Sequence, residues 1–139
     1  MAGRTPGSIA NESNNGRSNI YLSKYDNSGN RQWVTLFGTS AREIVGDVTT
    51  AMGGDIYVVG STKGSFNNTP NMGDFDAFVA RFNTSGQNEE VEVLASDGRD
   101  NLQGIITTGT GVYVAGQANG DIGGRIQAGG GDGLIARIE

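Results

Sequence analysis

An all-β fold built from a repeated unit is what this sequence predicts, on three observations. The chain matches itself at an offset of 56 or 57 residues, so that Lys24, Arg81 and Arg137 fall in equivalent frames, as do Tyr57 with Tyr113 and Gly60 with Gly116. Self-similarity at a period of tens of residues marks units that bury their faces only against their neighbours. Next, 24 glycines, 2 prolines and 18% charged residues among 139 describe a turn-rich β chain better than a helical one. Finally, apolar and polar residues alternate with period two over short runs, each closed by turn residues.

The elements follow in order. Residues 20–25 form the opening strand, and the turn 26–30 reverses the chain with Gly29 supplying the positive φ. A second strand, 32–37, ends at Gly38, and a polar link leads to a third, 44–50. The Gly53-Gly54 turn introduces a fourth, 55–60, which runs into a Gly-, Asn- and Pro-containing linker over 63–73. The second copy keeps this plan in strands 77–82, 89–93, 101–108 and 111–116, with one residue lost at the turn equivalent to Gly53-Gly54. Its second strand carries Glu90 where the first copy has Trp33, so Glu90 and Glu92 are expected to point into a solvated gap or toward a partner. A third copy opens with 134–138, and strands 20–25, 77–82 and 134–138 are expected to be equivalent and innermost.

Four meandering strands and a return link are the plan of a β-propeller blade. The expected organisation is a partial repeat end and linker over 1–19, a first blade and linker over 20–73, a second over 74–131, and the first strand of a third over 132–139. Residues 3–9 align with 60–66, so the chain is expected to open on the tail of a fourth strand. About two four-stranded blades plus one extra strand cannot close a ring that takes roughly four to eight. Completion by other copies, as a homo-oligomer, or by the remaining blades of a longer chain is the expectation.

The segment Asp76-Ala77-Phe78-Val79-Ala80-Arg81-Phe82-Asn83, then Ser85-Gly86, the second-strand Trp33 of the sister copy, and Asp55-Ile56-Tyr57-Val58-Val59-Gly60-Ser61-Thr62 before a Gly- and Asn-rich linker together resemble the bacterial β-propeller repeat known as SBBP. The resemblance covers nearly the whole chain. It implies a bladed scaffold, mostly extracellular or on the bacterial cell surface, in a family without a general enzymatic activity. The second copy departs from the pattern by lacking the Trp and by placing Gly104 where the first copy has Asp47. No binding residue is carried across from the family.

Composition also narrows the chemistry. With no histidine and no cysteine, the usual general base, the commonest transition-metal ligand and the strongest nucleophile at neutral pH are missing, so no catalytic residue, metal site or cofactor is expected. A net charge of −5 with scattered Lys and Arg argues against a nucleic-acid partner. No run approaches the 18 or so apolar residues of a membrane span, and the N-terminal residues lack the apolar core of a signal peptide.

Several features invite a sharper reading beside a plain one. Lys24, Arg81 and Arg137 could form a cationic ring that draws an anion, or pair structurally, with Asp76 or Asp132 as partners. Trp33, Tyr57 and Tyr113 could stack on sugar rings, or fill the core as aromatic residues in alternating strands do. The 26–30 segment has the oxygen ligands of a calcium loop but also the residues a hairpin turn needs. Residues 129–131 are not a phosphate loop, because no Lys-Ser/Thr pair follows. Two functions remain. One is a non-catalytic scaffold or binding platform, with a glycan or a surface protein as partner. The other is a lectin-like or polysaccharide-active surface using carboxylates such as Glu43, Asp47, Asp97 and Asp100.

Overall fold

The computed structural model describes residues 1–123 and 130–138, and among these the chain is all β, without helix. The linker residues 124–129 and Glu139, which include part of the expected second and third repeats, lie outside the described residues. Among the described residues, ten strands form three antiparallel sheets. Sheet I contains β1 (Ala2–Thr5), β2 (Asn19–Tyr25) and β3 (Arg31–Phe37). Sheet II contains β4 (Glu43–Thr50), β5 (Ile56–Thr62), β6 (Asp76–Phe82) and β7 (Asn88–Leu94). Sheet III contains β8 (Asn101–Thr108), β9 (Gly111–Ala118) and β10 (Asp132–Ile138).

The strands are those the periodicity predicts, but the sheets are cut at a different place. β3 and β4, expected as neighbours in one meander, belong to different sheets, whereas β5 and β6 pair directly across the long linker, from Ile56↔Phe82 to Thr62↔Asp76. The linker is therefore an intrasheet loop, and its own contacts explain why. Phe66 is 6% exposed and stacks on Phe37 with ring centroids 4.9 Å apart, pinning the loop to the core. Asn71 closes the loop by donating its side-chain amide to Thr62 O at 3.2 Å and its backbone N–H to Ser65 Oγ at 3.3 Å. The same two bonds recur 57 residues earlier, from Asn14 to Thr5 O at 3.0 Å and to Ser8 Oγ at 3.3 Å. A polar segment whose donors are satisfied internally and which inserts an aromatic ring need not separate two sheets.

Recutting the sheets also decides which strands are enclosed. β5 and β6 are interior and buried on both faces, while β3 and β7 are edge strands. Glu90 and Glu92 are thus tolerated because their strand has a solvated edge.

The sheets stack face to face. The core between sheets I and II gathers Ile20, Leu22, Ile56, Val58, Phe78 and Phe82, and that between II and III gathers Val59, Val79, Leu102, Ile105, Val114 and Ile138. Sheet II supplies both cores through period-two alternation: Phe78, Ala80 and Phe82 face sheet I, while Ala77, Val79 and Arg81 face sheet III. The layers approach most tightly at β4 and β8, not at the strands expected to be innermost. A Cβ on Gly46 would lie 2.1 Å from Leu102 O, so only glycine fits there. At the adjoining bulge, Asp47 turns its carboxylate across the gap to accept the Ile105 N–H at 3.1 Å.

Candidate functional site

Each of the six residues singled out in the sequence has a defined place, and they do not converge. They form one pair per layer, because strand register sets residues of the repeat opposite each other: Lys24 opposite Trp33, Arg81 opposite Tyr57, and Arg137 opposite Tyr113. The first pair borders the gap between sheets I and II and the second the gap between II and III. The third lies on the outer face of sheet III. A single cationic ring is not formed.

Trp33 is half-buried and fastens two layers. Its indole N–H donates to Thr84 O at 3.1 Å, and its ring packs on the β6–β7 turn, where Gly86 (φ 81°) leaves no room for a side chain. Thr35, on the same face of β3, donates to Gly86 O at 3.0 Å. Arg81 is neutralised. Its guanidinium lies 3.3 Å from both Asp55 and Glu89 and 3.5 Å from Glu90, and the Asp55 hydrogen bond holds its pKa above the ordinary value. Pairing with Asp76 or Asp132 was the expectation for this position; instead Asp76 sits at the opposite end of β6, in register with Thr62. Arg137 donates to Thr110 O at 2.8 Å.

The Asp26 segment is a hairpin turn. One carboxylate oxygen accepts the N–H groups of Ser28 and Asn30, each at 2.9 Å, and the other accepts the Asn30 and Gln32 side-chain amides at 3.1 Å. These donors, foremost the Asn30 N–H, hold the Asp26 pKa below the ordinary carboxylate value. Its oxygens are thereby committed to the turn, and among the described residues no group of three His, Cys, Asp or Glu side chains is placed to hold a metal ion.

Two carboxylates put forward for polysaccharide chemistry, Glu43 and Asp100, are fully buried and structurally equivalent. Glu43 Oε1 accepts the hydroxyls of Thr39 at 2.6 Å and Thr62 at 3.0 Å, while Oε2 is buried without a partner. Asp100 accepts from Ser96 N, Ser96 Oγ and Asn119 N at 2.7 to 3.1 Å. Each acid thus secures the chain crossing from one sheet to the next, through a hydroxyl four residues before it. That spacing, Thr39 to Glu43 and Ser96 to Asp100, was visible in the repeat. Beside Asp100 lies a second buried acid, Asp76, which accepts Met72 N at 2.9 Å through Oδ2 and leaves Oδ1 unpartnered. Burial pushes the pKa of Glu43 and of Asp76 upward, and the Asp100 charge adds to the rise at Asp76.

An open groove of about 820 Å³ lies between sheets I and II. Leu22, Val48 and Ile56 line it together with Lys24, Trp33 and the turn residue Met52. The corresponding concavity between sheets II and III, about 310 Å³, is bordered by Tyr57, Arg81, Glu90 and Glu92. No helix among the described residues is long and apolar enough to cross a membrane. A scan against protein-family models and a search of curated proteins both find no match for this chain.

Proposed function

We propose that this chain is a non-catalytic repeat module of the β-propeller type, a bacterial extracellular or cell-surface scaffold. In this reading its layers continue onto further copies of the same unit, in other chains or elsewhere in a longer one. The observation that carries the reading is a face of sheet III. Ile135, Arg137, Tyr113 and Ile106 share that face, and the equivalent face of sheet II, with Val79, Arg81 and Tyr57, is the one that sheet III covers. Val79 is 4% exposed and its counterpart Ile135 is 82% exposed. An apolar position that is buried in one repeat and open in the next is suited to a heterologous contact, which closes into a ring or extends as a filament.

Size-exclusion chromatography with light scattering tests the proposal. Association that rises with concentration and is lost in Ile135→Lys supports it. A compact monomer at every concentration, for both proteins, sinks self-assembly as the role of this face. The second reading, a carbohydrate-binding or polysaccharide-active surface, draws on Trp33 bordering the large groove. A glycan array with the full chain tests that reading, and saturable binding of one saccharide class would favour it.

A further inference from the structure

The groove between sheets I and II differs from its repeat-related counterpart in charge as well as size. Arg81, between sheets II and III, is surrounded by Asp55, Glu89 and Glu90 and needs no further anion. At the equivalent place Lys24 faces Trp33 instead of Glu90, and it makes no ion pair among the described residues. Among the described residues, no acidic side chain lines its groove. Its apolar lining comes from the half-buried Val48 and Trp33 and from the exposed Met52, in the turn that is one residue longer than its counterpart in the second copy, with the buried Leu22 and Ile56 beneath.

We propose that this groove binds an amphiphilic monocarboxylate: a carboxylate that meets the Lys24 ammonium, on an aryl or alkyl body that lies against Val48, Met52 and the Trp33 edge. The volume is in the range of small-ligand sites. An ammonium beside apolar walls gains most from an anion whose remaining surface is apolar, because the body removes water from both. A sugar acid is the competing occupant: Ser23, Tyr25, Thr49, Thr50 and Thr84 also line the groove, although the Trp33 N–H is already donated to Thr84 O. The inference does not depend on how the layers associate, since the groove lies within one chain.

The test is titration of the full chain with 4-phenylbutyrate, its neutral amide and galacturonate, followed by the fluorescence of Trp33, which is the only tryptophan, and by backbone amide shifts. Phenylbutyrate should give saturable changes centred on Lys24, Val48 and Ile56. The amide should bind about tenfold more weakly, as should phenylbutyrate to Lys24→Gln. Lys24→Arg should retain most of the affinity. Lys24 is exposed, so the Gln variant should melt with the parent protein and report on binding alone. Equal binding of acid and amide, an affinity unchanged in Lys24→Gln, tighter binding of galacturonate, or no saturable response to phenylbutyrate would each overturn the proposal.

Discussion

Phe66→Ala tests whether the 63–73 segment is a structural part of sheet II or a passive connection. The Phe66 ring is stacked 4.9 Å from Phe37 and lies 5.4 Å from Phe78, whose side chain is fully buried. Truncation removes roughly 100–150 Å² of buried apolar surface, which at about 25 cal/mol per Å² is about 2.5–4 kcal/mol. Loss of the aromatic pair adds about 0.5–1.5 kcal/mol, and collapse of the loop over the gap returns part of the total. The net expectation is about 3–4 kcal/mol, a large fraction of a stability of about 5–15 kcal/mol. Equilibrium urea unfolding, followed by far-ultraviolet circular dichroism and by Trp33 fluorescence, should show a lower midpoint with little change in slope. Phe66→Leu, which keeps most of the volume, should recover more than half of the loss. A difference below about 1 kcal/mol for Phe66→Ala would refute the reasoning, because the ring would then contribute little to holding the loop on the core.

Three further outcomes follow from the geometry. Trp33→Ala should destabilise by about 1–3 kcal/mol through lost packing of the half-buried ring and loss of its hydrogen bond to the β6–β7 turn, and a melting curve like the parent's would show that Trp33 does not join the layers. The raised pKa of Asp76 means that the fold favours its protonated form. Its contribution is therefore fully present below the ordinary value of 3.8 and is lost as pH rises through the folded value. Asp76→Asn should flatten that decline and raise stability near neutral pH, with Asn19 as the precedent at the equivalent position; a chemical-denaturation series from pH 3 to 8 in which the two proteins run parallel would contradict this. Arg81→Met should lower stability only slightly, because its ion pairs are partly exposed, and the cost should shrink in 0.5 M salt. A larger, salt-independent loss would indicate that the aliphatic stem, not the charge, is what matters at this position.

The sequence by itself determined the strands and the repeat. Alternation of apolar and polar residues is local, and a period of 56 or 57 residues requires only comparison of the chain with itself. Residues 77–82, for example, were placed within one position of β6, and the 26–30 turn was legible from residues that stabilise it within its own length. What the tertiary structure decided was the pairing. A repeat has no intrinsic starting point, so the same four strands can be cut into sheets after β3 or after β5 without altering the pattern. The choice rests on contacts between residues far apart in sequence: Phe66 stacked on Phe37, and Asp47 reaching Ile105. The candidate site was legible to the same extent. The cationic and aromatic positions could be named because they repeat, but Arg81 is ion-paired whereas Lys24 makes no ion pair among the described residues, and Glu90 in place of Trp33 acquires its meaning only when strand register sets it opposite Arg81. Side-chain identity is written along the chain, whereas charge balance and burial belong to the neighbours that folding brings together.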